Sequence, residues 1–371
     1  MSRLQAVLAM ISGGLSLAGL VLAGPTGNAP VVLLVFFTAG TLTLLRFVRP
    51  LPLWLDGAIS GVGAAALGSS LSAFETAPAY FWLGLVTVWV FSWLFVEQLS
   101  LAIRRGQVSE RIFGVFVPAI FGIALLFIWE AVTRSANVPE VLLPPPSSIW
   151  ARIIISLPLL WADFQQTFLK AVLAGYAMGC LSGFLVAILI DRSPFLKRGL
   201  LPIGNFVSAL PIIGIAPILI MWFGFDWPSK AAVVVAMTFF PMLINTVAGL
   251  NAAGAMERNL MRTYAAPYLA TLFKLRLPAA APFIFNALKI NSTLALIGAI
   301  VAKFFGTPIV GMGFRISTEV GKLNIDLVWA EIAMAAVAGS AFYGVVALIE
   351  RAVTFWHPSV RGGRAKLRKG T

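Results

Sequence analysis

The chain carries few side chains of the kinds that perform catalysis or bind metal ions. Its one cysteine, Cys180, lies inside an apolar run, and its one histidine, His357, lies near the end of the chain. These two residues can form neither an intrachain disulfide nor a zinc site of cysteine and histidine ligands. The sequence also lacks the G-x-x-x-x-G-K-[ST] motif that cradles nucleotide phosphates. We therefore expect Cys180 to be a packing residue, His357 to lie at a membrane interface, and the chain to bind no metal.

The composition is that of an integral membrane protein. Hydrophobic residues make up 60% of the 371 residues and charged residues only 11%, against roughly 45–50% and about 25% in soluble domains. Apolar runs long enough to cross a bilayer as helices lie at about 4–23, 30–47, 53–73, 79–103, 112–133, 163–190, 199–224, 231–250, 281–302 and 328–350. The sequence predicts an all-α membrane protein of about ten transmembrane helices. The first run could also be a cleaved signal peptide, but its length favours a retained helix.

The distribution of charge predicts the orientation of these helices. Lysine and arginine number 27 against 14 acidic residues, a net charge of +13. With the N-terminus in the cytoplasm, the basic clusters at 104–111, 192–198, 258–276 and 361–369 all fall on the cytoplasmic side, as the positive-inside rule requires. We therefore expect both termini to be cytoplasmic. Topology and contact with anionic lipid account for the basic excess, so no nucleic-acid partner is expected.

The charged segment 104–111 divides the chain. Before it, residues 1–105 form an accessory bundle of four spans with many small residues, among them Gly61, Gly63 and Gly68, which suit close helix packing. After it, residues 106–357 form a core of six spans with longer loops, and residues 358–371 form a basic cytoplasmic tail. We find no convincing internal repeat.

One loop of the core is long enough to have a structure of its own. Residues 251–280 mix charge with apolar residues at three- and four-residue steps, which predicts short amphipathic helices. Ala265, Ala266 and Pro267 should interrupt them, and Leu277 and Pro278 mark the approach to the next span, where proline suits the first helical turn. Such a loop offers a surface to a partner.

Polar residues and prolines within the core spans are candidates for a solute pathway. Polar side chains are costly toward lipid and should face the bundle interior, and prolines loosen the helix beside a pathway. The residues are Asn205, Ser208, Pro211, Pro217, Asn245, Asn286, Asn291 and Ser292. For the polar residues, interhelical hydrogen bonds are the favoured explanation over contact with solute, and for the prolines an ordinary packed kink is an equal alternative. The long side chains of Lys170 and Lys289 can reach the membrane interface, so we expect almost no ionisable residue deep in the bilayer.

The long loop resembles the coupling loop of binding-protein-dependent ABC importer permeases. The pattern of that family is Glu-Ala-Ala, three residues, Gly, nine residues, then Ile-x-Leu-Pro. Leu277 and Pro278 match its end, and the glycine position is Ala265. The Glu-Ala-Ala positions hold other residues, and the matched stretch reads Asn259, Leu260, Met261, Arg262, Thr263, Tyr264, Ala265, Ala266, Pro267. In the family this loop is a helix that docks into a groove of a cytoplasmic ATPase.

Three further stretches are similar to the sulfonate, taurine and nitrate branch of these permeases. The first is 141–148, which follows Trp129 and Glu130. The second is 210–217, followed by Trp222-Phe223-Gly224 and Lys230, and the third is Gly311-Met312-Gly313. Together with the loop, they extend the resemblance over about 112–357.

The resemblance implies the transmembrane subunit of a type I importer in the bacterial cytoplasmic (inner) membrane, with an N-terminal extension. Such a subunit is a permease and not an enzyme. With a second permease chain, a copy or a homologue, it would enclose a pathway for a small solute of the sulfonate, taurine, nitrate or pyrimidine and vitamin-precursor type. An extracytoplasmic binding protein would deliver the solute. A cytoplasmic ATPase dimer would bind ATP and magnesium, and this chain would hold no cofactor.

Two other classes of membrane protein compete with this interpretation. A stand-alone ion-coupled secondary transporter or channel would need an ion site at the midplane and usually a core built from repeats, and the sequence shows neither clearly. A membrane enzyme would need clustered catalytic side chains, for which the sequence offers no candidates.

Overall fold

The computed structural model describes residues 3–23, 36–42, 53–70, 77–107, 110–208, 212–304 and 310–356. Most of these residues are helical, and seven of the helices are long and apolar enough to cross a membrane. This confirms the all-α membrane fold, whereas the count of ten spans is not confirmed. His357 and the basic tail lie outside the described residues.

Contacts between Cα atoms divide the chain into two units, Met1–Ile149 and Trp150–Thr371. The division predicted between residues 105 and 106 is based on a charged segment and on the family resemblance, whereas these two units are defined by packing. The predicted division stays a prediction. The helices of the first unit are α1 Arg3–Ala23, α2 36–42, α3 Leu53–Ser70, α4 Ala79–Arg104 and α5 Glu110–Ser135, and the boundary falls within α6 Pro146–Ile155.

Helix α4 is the centre of the first unit, because α1, α3 and α5 all pack against it. A cluster of buried residues from α2, α3, α4 and α5 includes Phe36, Leu67, Phe81 and Ala131. A Cβ atom on Gly19 would lie 2.5 Å from the ring of Phe36. Only a glycine therefore allows α1 to approach α2 this closely.

The second unit contains eight described helices. They are α7 Leu157–Arg192, α8 Pro194–Ser208, α9 Ile212–Phe223, α10 Trp227–Asn251, α11 Ala255–Thr263, α12 Tyr268–Lys303, α13 Met312–Gly321 and α14 Ile325–Val353. The span predicted at 199–224 corresponds to α8 and α9, two helices with residues 209–211 between them, which lie outside the described residues.

Two spans begin earlier than the sequence predicted. Helix α12 begins at Tyr268 instead of near residue 281, and α7 begins at Leu157 instead of near residue 163. Each contains a π-helical segment, Leu272–Arg276 in α12 and Gln165–Val172 in α7. Proline cannot donate the usual backbone hydrogen bond, but a wider turn just before it lets a helix continue. Pro278 thus lies in the first turn of the regular α-helical part of α12, Leu277–Lys303, as predicted, while α12 as a whole begins earlier.

Helix α10 is the centre of the second unit, with α7 running parallel and α12 antiparallel to it. Three glycines at four-residue steps on α7 face α10: Gly175, Gly179, Gly183. A Cβ atom on Gly175 would lie 2.5 Å from Cβ of Val234, and one on Gly179 would lie 2.1 Å from the hydroxyl of Thr238. Small residues let the two backbones approach closely, which is how helices gain packing energy in lipid.

This packing predicts the effect of one methyl group. A Cβ atom on Gly183 would lie 2.5 Å from the backbone oxygen of Phe239, which cannot move without shifting the helix. We expect Gly183→Ala to lower the free energy of unfolding by about 1–3 kcal/mol, measured by thermal unfolding in detergent. The matched control is Gly344→Ala, because a Cβ atom there meets nothing within 4 Å. Equal unfolding temperatures for the two variants would contradict the close contact.

Candidate functional site

The loop that follows α10 has the predicted helix, break and helix. Helix α11 ends at Thr263, and α12 begins at Tyr268. The amide of Ala265 donates to the carbonyl of Arg262 at 2.9 Å, and that of Ala266 donates to Met261 at 3.0 Å. This pair of bonds is a Schellman motif, which satisfies the last carbonyl groups of a helix.

Ala265 has the left-handed backbone conformation that this motif requires. Its φ is +51°, in a region where the Cβ atom of an L-residue crowds the following carbonyl oxygen. The family pattern has glycine at this position, and glycine adopts positive φ without that penalty. The structure therefore gives a physical reason for the glycine and shows that alanine keeps the same turn.

The first half of the loop exposes apolar side chains on one face. Met256, Leu260 and Tyr264 lie four residues apart and are 85%, 56% and 76% exposed. Contiguous exposed apolar surface of this kind is typical of a site for a protein partner. Among the residues matched to the family pattern, the exposed ones are Asn259, Leu260, Arg262, Thr263, Tyr264, Ala265 and Pro267, and the half-buried ones are Met261, Ala266, Leu277 and Pro278.

The second half of the loop is fixed to the ends of two spans. The guanidinium of Arg276 donates two bonds of 2.6 Å to the carboxylate of Asp191 at the end of α7, and a third of 2.9 Å to the carbonyl of Leu250 at the end of α10. The Tyr268 hydroxyl donates to the same carboxylate at 3.0 Å. Asp191 and Arg276 have side chains 6% and 14% exposed, so water screens this two-pronged pair only weakly.

The sequence does not predict this clamp, by which we mean Asp191, Tyr268, Arg276 and the carbonyl of Leu250. Arg276 is expected only as one of the basic residues of the cytoplasmic side, and no role is expected for Asp191. One signal was present, since Asp191 is an acidic residue at the end of a span in an otherwise basic cluster. Its partner, however, lies 85 positions along the chain.

The described candidates for a solute pathway lie in different surroundings. Asn291 is fully buried, and its amide donates to the Thr238 carbonyl at 2.8 Å and to the Cys180 sulfur at 3.2 Å, which joins α12 to α10 and α7. Asn245 and Ser292 donate to backbone carbonyls of their own helices. Asn286 is exposed, and Pro217 is half-buried within α9. The side chains of Asn205 and Ser208, and all of Pro211, lie outside the described residues.

Cys180 is a packing residue, as predicted. It is buried, carries no disulfide, and lies in a cluster with Met242 and Ala287. Among the described residues, no three histidine, cysteine, aspartate or glutamate side chains lie close enough together to hold a metal ion.

Four charged side chains in the described part of the second unit are almost fully buried, near helix ends, and the expectation that almost no ionisable residue lies deep in the bilayer stays a prediction. Asp163, Lys230, Lys303 and Glu331 are at most 2% exposed. All four lie near helix ends, on the side of the second unit that is opposite the loop 251–280. There α13 packs over Asp163 through the contacts of Gly311 and Arg315. The ammonium of Lys289 pairs with the carboxylate of Glu350 of α14 at 2.7 Å.

Asp163 and Thr167 of α7 bind the beginning of α13. The Gly311 amide and the Arg315 guanidinium donate to the carboxylate of Asp163, the latter at 2.9 Å. The Thr167 hydroxyl accepts bonds of 2.9 Å from the Met312 amide and from the ammonium of Lys303. The free amides at the start of a helix are thus satisfied by side chains of another helix.

The glycines of the Gly311-Met312-Gly313 motif make this contact possible. Gly311 has a φ of +138°, and a Cβ atom there would lie 2.1 Å from the ammonium of Lys303. A Cβ atom on Gly313 would lie 2.0 Å from the carbonyl oxygen of Ile300. Gly311 therefore needs glycine for its backbone conformation, and Gly313 needs glycine for space.

Two more stretches of the resemblance have structural roles. The carboxylate of Glu130 accepts bonds from the Ser147 amide at 2.9 Å and the Ser147 hydroxyl at 2.7 Å, so it caps the start of α6. The ammonium of Lys230 donates to the carbonyl of Phe225. Its buried charge is thereby held next to the turn that precedes α10.

The pKa of Glu319, at the end of α13, is lowered. Burial alone would raise it, but bonds from the Asn324 amide at 2.7 Å and the Lys322 ammonium at 2.9 Å outweigh burial, together with the positive charge of Arg315. These bonds stabilise the end of α13 at neutral pH, and the stabilisation is lost as the pH falls through the lowered pKa.

Comparison with known proteins identifies a family. The sequence profile of the binding-protein-dependent transport system inner membrane component matches residues 171–355. A probable ABC transporter permease protein of Haemophilus influenzae is 31% identical over 215 residues, which are 58% of this chain and 87% of the relative. The formylaminopyrimidine transport permease protein ThiX of Halalkalibacterium halodurans is 28% identical over 67% of this chain and 98% of its own length. A putative aliphatic sulfonates transport permease protein of Bacillus subtilis, SsuC, is 28% identical over 67% and 89%.

The turn after α11 predicts that one substitution stabilises the protein. Ala265→Gly removes the penalty of positive φ at that residue and should raise the free energy of unfolding by up to about 1 kcal/mol. Slower hydrogen exchange at the end of α11 would report it locally. Ala266→Gly is the matched control, since Ala266 has an ordinary negative φ and glycine there only adds freedom to the unfolded chain. Stabilisation by both variants, or by neither, would contradict the assignment.

The clamp predicts a loss on an apparently conservative change. Arg276→Lys keeps the positive charge but loses the fork, the pair of parallel hydrogen bonds from the guanidinium to the Asp191 carboxylate. The substitution should therefore lower the free energy of unfolding by about 1–3 kcal/mol. Lys274→Gln, which removes an exposed charge two residues away, should leave the unfolding temperature nearly unchanged. An Arg276→Lys variant as stable as the wild type would show that the fork contributes nothing.

Proposed function

We infer how this chain works from its membership of the family of binding-protein-dependent transport system inner membrane components. The chain is a multi-pass inner-membrane protein and a permease subunit of an ABC importer. We propose that the loop 251–280 is its coupling element, which docks into a groove of a cytoplasmic ABC ATPase.

The observation that carries this proposal is the contrast between the two halves of the loop. Met256, Leu260 and Tyr264 expose an apolar face on α11, while Arg276 and Tyr268 tie the next segment to the spans. A surface that receives force from a partner must be accessible on one side and rigidly attached on the other. The loop has both properties.

The attachment suggests how movement reaches the membrane. A displaced α11 pulls on α12 directly, and through the clamp it also pulls on the ends of α7 and α10. Close glycine contacts hold α7 against α10 along their length, so the three helices move together more easily than apart. ATP binding and hydrolysis in the ATPase would thus rock this group as a rigid body and alternate access to the pathway.

Other subunits complete the proposed importer. Two copies of the ATPase bind ATP and magnesium, and this chain binds neither. A second permease chain, identical or homologous, supplies the other half of the pathway, and an extracytoplasmic binding protein delivers the solute. Both termini lie in the cytoplasm in this proposal, because the basic clusters follow the positive-inside rule. Membrane lipid surrounds the spans, and no nucleic acid is involved.

The names of the relatives support a class of solute. The transported compounds in these names are formylaminopyrimidine, riboflavin, aliphatic sulfonates, bicarbonate and taurine. We propose that this chain carries a small solute of the sulfonate, taurine, nitrate or pyrimidine and vitamin-precursor type. The proposed pathway residues remain Asn205, Ser208, Pro211, Pro217, Asn245, Asn286, Asn291 and Ser292.

Capture of the ATPase tests the proposed coupling. We expect the wild-type chain, co-expressed with the ATPase encoded beside it and purified in detergent, to retain that ATPase. Leu260→Asp and Tyr264→Asp each place a charge on the exposed face of α11 without burying it, so both should lose the ATPase and remain folded.

The matched control is Phe225→Asp. Phe225 is 63% exposed but precedes α10 at the ends of the spans opposite the loop, so this variant should keep the ATPase. Failure of the wild type to capture any ATPase, with the binding protein present, would contradict the proposal. So would full retention by both loop variants.

A further inference from the structure

The first unit contains a half-enclosed cavity of about 240 Å³ between α3, α4 and α5. Nothing in the proposed coupling mechanism uses it. Its walls include Gly61 and Ala64 of α3, Trp89 and Phe95 of α4, and Phe127 of α5.

The cavity is lined by those parts of its helices that are expected to lie in the bilayer interior. Its lining comes from the middle of each helix: residues 57–64 of Leu53–Ser70, residues 85–95 of Ala79–Arg104, and residues 120–128 of Glu110–Ser135. Both α4 and α5 contain candidate membrane spans. The medium available to fill an opening at this depth is hydrocarbon.

Gly61 does not serve close helix packing. Small residues in membrane helices usually let a neighbouring backbone approach, but a Cβ atom on Gly61 would meet nothing within 4 Å. On the same helix, a Cβ atom on Gly57 would lie 3.0 Å from the ring of Phe95, and one on Gly68 would lie 3.7 Å from the ring of Phe127. Two aromatic rings therefore bound a groove that Gly61 keeps open.

The dimensions of the groove match one hydrocarbon chain. The lining of α4 runs over ten residue steps, from Leu85 to Phe95, which is about 15 Å along a helix. One leaflet contributes about half of a hydrocarbon core that is about 30 Å thick. A helix of a second copy, about 10 Å across, would not fit into 240 Å³.

The lining offers little to a polar ligand. Its two serines are engaged with the protein, since the hydroxyls of Ser60 and Ser92 contact each other and Ser92 also donates to the Val88 carbonyl at 2.9 Å. None of the lining side chains has a fully buried polar atom that lacks a partner. Apolar cavities of this kind exclude water and take apolar ligands.

We propose that this groove is a binding site for one acyl chain of a membrane phospholipid. The bound chain fills the space beside Gly61 and completes the packing of α3 against α4 and α5. This gives the N-terminal unit a ligand of its own, and the inference does not depend on the proposed coupling to an ATPase.

A photoreactive lipid tests the site. The full chain is reconstituted into nanodiscs that contain phosphatidylethanolamine with a diazirine in one acyl chain, irradiated, and digested for mass spectrometry. We expect labelling within 85–95 and 120–128, and its loss when an excess of unmodified lipid is added.

Two variants block the groove and one matched control does not. Gly61→Leu and Ala64→Leu place a side chain in the cavity and should abolish the competed labelling. Gly122→Leu should retain it, because Gly122 lies on α5 outside the lining and its Cβ atom would also meet nothing within 4 Å. Thermal unfolding shows whether each variant is folded. If Gly61→Leu does not fold, the labelling of Ala64→Leu tests the site.

Either of two results would overturn the proposal. One is equal labelling of both segments in the wild type and in a folded groove-filling variant, since the lipid would then only surround the protein. The other is the absence of competed labelling within 85–95 and 120–128 in the wild type.

Discussion

The ion pair between Asp191 and Arg276 is the contact on which the mechanical account of this protein depends. In the proposed mechanism the chain converts movement of a cytoplasmic ATPase into movement of helices in lipid, and a loop that is merely tethered would absorb that movement. The two 2.6 Å bonds of the fork, the third bond to Leu250 and the hydroxyl of Tyr268 fix the loop to α7 and α10. Burial of the pair makes this attachment stiffer than an exposed ion pair would be.

The opposite ends of the spans are held by different chemistry. There Asp163 and Thr167 bind the first amides of α13, and Lys303 and Arg315 surround them. Glu331 is fully buried beside this group, with Asp163, Arg315 and Lys303 as charged neighbours. Between the two ends, glycines let α7 and α10 pack closely, and the buried Asn291 amide joins α12 to both. The second unit thus has charged attachments at both ends and close packing, with one buried amide, in the middle.

The sequence predicted what depends on local pattern and missed what depends on distant partners. Hydropathy predicted most spans, and three- and four-residue periodicity predicted α11 with the break at 264–267. The register of the family pattern placed its glycine at Ala265, whose φ is positive. The clamp joins residues 85 positions apart and the Asp163–Arg315 pair joins residues 152 apart, and neither separation has a local signature. The early starts of α7 and α12 were missed because π-helical turns carry a helix through a segment that reads as a boundary.

Hydrogen exchange at residues 255–276, compared between the wild type and Asp191→Asn in the full chain, tests the central claim most directly. The clamp predicts slow exchange of the amides of 268–276 in the wild type and much faster exchange in the variant, with α7 and α10 unchanged outside their last turns. The exposed face of α11 should then move independently of the spans. Identical exchange in the two proteins would contradict the account, because the loop would be rigid for another reason or not rigid at all.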